Sequence, residues 1–298
     1  MEKYSVLMAV YHKEKPENFQ LAVESMLEQT VPPDEFVLVC DGPLTPQLDA
    51  VIGDLCRREP ELFHILRLEK NCGLGVALNV GLLQCRNELV ARMDSDDIAV
   101  PHRMEMQLAA METNPNVSVL GGQIGEFQSG SSRIHAYRTV PMEESDIRAF
   151  LRFRNPMNHM TVVLRRSHVL QVGNYPNLPG FEDYVLWATL LANGYSLQNI
   201  RQVCCRARAD AGIYSRRGGI RYFRNTVAME QHLLRLGLIC RGRFWRNVAV
   251  RFGGTILLPA GFRRAVFLKF LRRKTLAGGS GSTSLRGLPV FGEGYGTQ

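Results

Sequence analysis

Apolar and polar positions fall into regular blocks along the first hundred residues. YSVLMAVYH, from Tyr4, is apolar on both sides, as in a strand buried between two layers. PENFQLAVESMLEQT follows, with Phe19, Val23, Met26 and Leu27 at helical spacing. DEFVLVCDG is a second buried strand closed by Asp-Gly, and TPQLDAVIGDLCRREP is a helix that stops before a proline. LFHILRLE gives a third strand, GLGVALNVGLLQC a helix and ELVARMD a fourth strand. Strands that lack a polar face, alternating with helices, predict an α/β fold with a mostly parallel, Rossmann-like sheet flanked by helices. Ligands of such sheets sit beyond the carboxyl ends of the strands, so Asp41 and Asp94 are expected in one crevice.

Past Pro101 the pattern gives a helix (HRMEMQLAAMET), a long strand (VSVLGGQIGEFQ) and a helix from about Glu143 to Phe153. MTVVLRRSHVLQVGNY reads as a strand and a short helix, EDYVLWATLLANGY as a helix ending in Asn-Gly, and GGIRYFRNTVAMEQHLLRLGL as a helix. Trp187, spaced helically from Leu190 and Leu191, is expected in the core. Four stretches follow: 1–115 and 116–225 as two halves of one α/β domain, 226–275 as a basic helical extension, and 276–298 as a flexible glycine-rich tail whose GGSGS resembles an appended linker.

Charge divides the chain differently. Residues 1–200 hold 17 Lys/Arg against 25 Asp/Glu, whereas 201–274 hold 18 against two. An acidic body with a basic C-terminal section suits an anionic partner. The seven cysteines form no C-x-x-C pair, which speaks against a zinc knuckle or a disulfide framework and fits a reducing compartment. The N-terminal apolar stretch is too short for a signal peptide, and no segment approaches the roughly 20 apolar residues of a membrane span. A cytoplasmic location is expected.

LVARMDSDDIAVP sets Asp94, Asp96 and Asp97 within four positions. An extended strand end points Asp94 and Asp96 to one side, and such oxygen clusters suit Mg²⁺ or Mn²⁺ shared with substrate phosphates. The competing reading is an Asp-rich turn, with Asp97 capping the helix near Pro101. Asp41 stands either as a nucleotide contact or as an Asx-turn. Gly73 and Gly75 open a helix, where backbone amides can approach a phosphate; a plain glycine turn explains them equally. Glu182 and Asp183 begin a helix, where one acid is explained by the helix dipole and a second is a candidate general base.

Taken together, Asp41 after its strand, NCGLGVALNVG, ARMDSDDIAVPHRMEMQ, NPMNHMTVVLRRSHVLQVGNY and FEDYVLW resemble, in this order, family-2 glycosyltransferases of the GT-A fold. The likeness is to the bacterial O-antigen and exopolysaccharide type, over residues 1 to about 225. It implies an inverting transferase that uses a nucleotide-diphosphate sugar, with uridine the expected base. It further implies that Asp41 binds the base, Asp94 lies near the ribose and diphosphate, Asp96 holds the metal, and Asp183 beside Glu182 is the catalytic base. His159 matches a recurrent histidine and is a candidate for the acceptor side. Arg217, with Arg216, is a candidate diphosphate contact. The Q-x-x-R-W element of processive members is absent, so one sugar per acceptor is expected. A sugar-phosphate nucleotidyltransferase is the enzymatic alternative, although YHKEKPENF lacks the glycine-rich loop that such enzymes place after the first strand.

Residues 244–274 mix Phe, Trp, Leu and Val with Arg and Lys, a composition suited to the headgroup layer of an anionic membrane. The similar enzymes often take a saccharide on polyprenyl diphosphate as acceptor, which makes the inner face of the cell membrane the expected place of work. No RNA-binding signature accompanies the charge, and no nucleic-acid partner is expected. A non-catalytic module that binds membrane or nucleic acid is the alternative from outside the enzymes.

Overall fold

The computed structural model describes residues 2–130, 133–209 and 219–257. Its first half alternates as the pattern predicts: β1 (Tyr4–Val10), α1 (Pro16–Leu27), β2 (Glu35–Cys40), α2 (Pro46–Arg58), β3 (Phe63–Arg67), α3 (Leu74–Gln84) and β4 (Leu89–Asp94). Pro16 and Pro46 open their helices, where a missing N–H costs nothing, and the Thr45 side chain accepts a hydrogen bond from the Leu48 amide at 3.3 Å. Then come β5 (Ile98–Ala99), α4 (Arg103–Thr113), β6 (Val117–Phe127), β7 (Ala136–Arg138), α5 (Glu144–Leu151), β8 (Val163–Arg165), α6 (Arg166–Gln171) and α7 (Glu182–Ala192). The described chain closes with β9 (Ser196–Arg208), α8 (Gly219–Arg235) and α9 (Arg241–Phe252).

The nine strands of the described residues form one sheet in the order β3-β2-β1-β4-β8-β6-β9-β5, with β7 added on β6. Pairing is parallel from β3 through β4 and again between β6 and β9; β8 runs antiparallel to both β4 and β6. Strands from 1–115 and from 116–225 therefore share a single sheet. Period-two alternation sends Val6, Met8, Ala91 and Met93 into a core under α1, α2 and α4, and Leu7, Val37, Val39 and Val90 into a second core under α3 and α7. Trp187 lies fully buried in that second core, as its spacing predicts.

Two departures matter for the site. Residues 196–208, to which the sequence pattern gave no element, form the 13-residue strand β9. Its register against β6 shifts around Gly121–Gln123, so no clean alternation runs through SLQNIRQ. Asp97 does not cap α4: that helix starts at Arg103, behind His102, which gives no side-chain cap. The Asp97 carboxylate is turned toward β9 instead, where its Oδ1 accepts from the Arg208 amide at 2.7 Å.

Helices α8 and α9 form a basic hairpin on the body. Met229 and Leu233 enter the α7 core, and Thr189 Oγ1 meets His232 Nε2 at 3.0 Å. Asn247 Nδ2 donates to the Arg152 carbonyl at 3.0 Å, and a guanidinium N–H of Arg251 donates to that of Phe153 at 2.9 Å. No described helix is long and apolar enough to cross a membrane. Arg216, Arg217, the segment 258–275 and the tail 276–298 lie outside the described residues.

Candidate active site

Strand β4 builds the centre. Alternation places Val90, Arg92 and Asp94 on the α7 side of the sheet, so an arginine enters a buried face of an otherwise apolar strand. Arg92 is 1% exposed and pairs with Asp94. Below it, the fully buried Arg103 donates to the Arg92 carbonyl at 2.9 Å and to Gln107 Oε1 at 2.9 Å. These bonds fix the strand end from which the acidic turn departs.

In that turn one carboxylate oxygen from each of Asp94, Asp96 and Asp97 lies within 4.8 Å of the other two. The pairing of β5 with β9 delivers Arg208, whose Nε donates to the Asp96 carbonyl at 3.0 Å. Burial, and then the charges of Asp96 and Asp94, push the Asp97 carboxyl well above the ordinary carboxylate range; the amide bond from Arg208 opposes this. Three carboxylates held close against mutual repulsion, with Asp97 poorly solvated, gain most from a hard divalent cation. The set fits Mg²⁺ or Mn²⁺, whose preferred ligands are oxygens.

The second carboxylate group opens α7. Asp183 Oδ2 accepts from Asn155 Nδ2 at 2.5 Å, and its Oδ1 accepts from the Tyr184 amide at 2.7 Å. Burial raises the Asp183 carboxyl, while the Asn155 bond, the Tyr184 amide and the arginines 138 and 92 pull it back. Glu182 is more deeply placed, at 6% exposure, and accepts from the Gly180 amide at 2.7 Å. Burial and then the Asp183 charge push its carboxyl up to about 7. Of the two, Asp183 is the more open to a ligand.

His159, buried at 9% exposure, meets the Tyr175 hydroxyl at 3.1 Å through Nε2 and packs edge-on against Trp187. Burial, and next the Arg92 charge, hold its imidazole well below the ordinary histidine range, so it is neutral. One cleft of about 1200 Å³ is lined by Asp94, Asp96, Asp97, His159, Glu182 and Asp183 together.

Asp41, expected in the same crevice, is not among the residues that line this cleft. It leaves the same sheet edge, but its carboxylate is turned onto the following loop, accepting from the amides of Cys72 at 2.7 Å and Gly73 at 3.0 Å and from Asn71 Nδ2 at 3.0 Å. Gly73, at φ 91°, occupies the turn that this clamp closes. Gly75 is a packing residue: a Cβ there would lie 2.7 Å from the Pro176 carbonyl oxygen and 3.2 Å from the Glu182 Cβ.

Arg92, Asn155 and Arg208 carry roles in the site that the sequence reading did not assign. Asn155 lies within NPMNHMT, and Arg208 follows the alternation Cys205, Arg206, Ala207, so both had a local signal. Arg92 had only the oddity of a charge inside an apolar strand.

The sequence pattern of the family described as glycosyl transferase family 2 matches residues 5–172. The chain belongs to that family. It is a glycosyltransferase of the GT-A fold, and this membership sets aside the nucleotidyltransferase and non-catalytic alternatives. The amylovoran biosynthesis glycosyltransferase AmsE of Erwinia amylovora is 40% identical over 234 residues, covering 78% of this chain and 86% of that protein. The UDP-Gal:alpha-D-GlcNAc-diphosphoundecaprenol beta-1,3-galactosyltransferase of Escherichia coli is 38% identical over 271 residues, 91% of this chain and 97% of that protein. Among solved structures, the mannosyltransferase PcManGT of Pyrobaculum calidifontis, in complex with GDP-Man and Mn²⁺, superposes with a TM-score of 0.61 at 16% identity, over 89% of this chain and 79% of that one. At that identity the likeness speaks for the fold alone.

Proposed function

We propose that this glycosyltransferase is inverting and adds a single sugar, taken from a uridine-diphosphate sugar, to a hydroxyl of a saccharide carried on polyprenyl diphosphate. Its place is the building of bacterial surface polysaccharide at the inner face of the cell membrane. The observation that carries the reading is one cleft with two separate acidic groups, Asp94–Asp96–Asp97 and Glu182–Asp183. The relatives that act in amylovoran and diphosphoundecaprenol-linked chemistry support the choice of donor and acceptor.

Inversion by direct displacement needs one base on the acceptor side and no enzyme nucleophile. Asp183 takes the proton of the acceptor hydroxyl. The hydroxyl oxygen then bonds to the anomeric carbon from the face opposite the diphosphate, and the bond to the diphosphate oxygen breaks with its electron pair leaving on the nucleotide. Asn155 orients Asp183 and keeps it ionised through its hydrogen bond. Asp96, Asp94 and Asp97 would hold a divalent ion, which would offset charge on the departing diphosphate. Asp94 is also placed for the ribose and diphosphate, and Arg92 fixes its carboxylate. Asp41 serves the base through the 71–73 loop that it clamps. Neutral His159, tied to Tyr175, shapes the acceptor side.

Attachment to the membrane is peripheral. On α9 and just after it, Trp245 (68% exposed), Val250 (69%), Phe252 and Ile256 face solvent among arginines, a surface suited to an anionic bilayer. Asp183→Asn tests the assignment of the base. Turnover of a uridine-diphosphate sugar falls at least about a thousandfold, while the affinity for UDP with Mn²⁺ is unaltered. Retained turnover excludes Asp183 as the base.

A further inference from the structure

We propose that the arginine-lined end of the cleft, formed by Arg221 of α8, Arg246 of α9 and Arg154 ahead of Asn155, binds the diphosphate of the acceptor. The inference deepens the function proposed above and rests on its acceptor class.

The three arginines line the same cleft as the two acidic groups. They belong to its base-bearing side. Arg154 directly precedes Asn155, which bonds Asp183. Arg221 directly precedes Tyr222, whose ring lies 5.2 Å from that of Phe181, the residue before Glu182. Asn225, one turn further along α8, donates to the Pro179 carbonyl at 3.0 Å. The start of α8 is thus fastened to the segment that leads into the catalytic pair.

This hairpin is strongly basic. Glu230 is the sole acid of α8 and α9; it is fully buried, paired with Arg251 at 2.9 Å and bonded by Asn247 at 3.0 Å. No acid on either helix is left for Arg221 or Arg246. The Arg246 guanidinium lies over the Phe153 ring at 5.1 Å and donates one N–H to Asn247 Oδ1 at 3.2 Å, contacts that steady its position and leave its other N–H groups able to donate. Forked guanidinium donors match the oxygens of a diphosphate, which is why arginine recurs where such groups are read.

A base works on the acceptor, so an anion gripped beside the base is the acceptor's own. The donor diphosphate has its place at Asp94, Asp96 and Asp97. Phe153 (47% exposed) and Val250 (69%) line the same cleft as exposed apolar side chains, suited to the first isoprene units of a lipid.

The test uses the full chain, saturated with UDP and Mn²⁺ so that the donor end is filled, and titrates in geranyl diphosphate. Binding is expected, weakened about tenfold for each of Arg221→Ala and Arg246→Ala, with UDP–Mn²⁺ affinity unchanged. Both residues are exposed, so folding is not at risk, and the UDP–Mn²⁺ arm verifies it. A parallel arm measures binding to phosphatidylglycerol vesicles. Variants that lose vesicle binding yet keep their affinity for geranyl diphosphate assign the arginines to lipid headgroups and overturn the inference. Wild-type protein that binds UDP–Mn²⁺ but not geranyl diphosphate also overturns it, and leaves the transferase reading standing. Failure to bind UDP–Mn²⁺ at all sinks that reading, and the inference with it.

Discussion

Asn155 Nδ2 donates to Asp183 Oδ2 at 2.5 Å, joining the loop after α5 to the first turn of α7. This bond stabilises the ionised carboxylate and holds the proposed base charged against its burial. Asn155→Ala removes it, and the acid limb of the kcat/KM profile should move up by about one pH unit, since a hydrogen bond to a charged group contributes roughly 1.5–3 kcal/mol. Activity is then lost more at pH 6 than at pH 8. A uniform loss with an unmoved limb would show that Asn155 does not control the proton.

Glu182 makes the stability of the protein depend on pH. Its carboxyl ordinarily titrates at 4.5 and is pushed up to about 7 in the fold, first by burial and then by Asp183. Between those values the folded protein keeps a proton that the unfolded chain has released. The contribution of Glu182 therefore falls as pH rises through that window and levels off above about 7. Glu182→Gln is neutral throughout. Its melting temperature relative to wild type should climb from pH 5 to pH 7.5, and a constant difference would remove Glu182 as the cause.

Gly75 joins the start of α3 to the segment that leads into Glu182 and Asp183. A methyl group there meets the Pro176 carbonyl oxygen at 2.7 Å, which is backbone and does not yield easily. Gly75→Ala should destabilise the fold by about 1–3 kcal/mol and lower kcat by displacing Glu182 and Asp183, with donor affinity little changed. Calorimetry and steady-state kinetics measure both. Wild-type values for melting and turnover would show that the contact relaxes freely.

Much of the fold was legible because its first half obeys simple periods. Buried strands without a polar face and helices with Phe19, Val23 and Met26 on one side leave few alternatives to a sheet between helix layers. The acidic turn and the Glu182–Asp183 pair stood out in the sequence because clustered carboxylates are costly, and the fold brings both to one cleft. Strand β9 was not, because its register shifts against β6 break the alternation on which a strand reading depends. The turning of Asp41 onto Cys72 and Gly73 was invisible for another reason. Strand ends fix where a residue leaves the sheet, while the next loop decides which way its side chain faces. Arg92 is a tertiary fact: the paired carboxylate of Asp94, with the charge of Asp183 nearby, makes a buried guanidinium tolerable.

The central claim is that the Asp94–Asp96–Asp97 group holds a divalent ion with the donor diphosphate, in the cleft that Asp183 faces. Crystals soaked with manganese and UDP, measured at the manganese absorption edge, test it most directly. The account predicts an anomalous peak about 2.1–2.3 Å from carboxylate oxygens of this group, with the diphosphate beside it, and loss of both in Asp96→Ala. Manganese and nucleotide bound together elsewhere on the protein, or nucleotide bound equally well in Asp96→Ala, would contradict it.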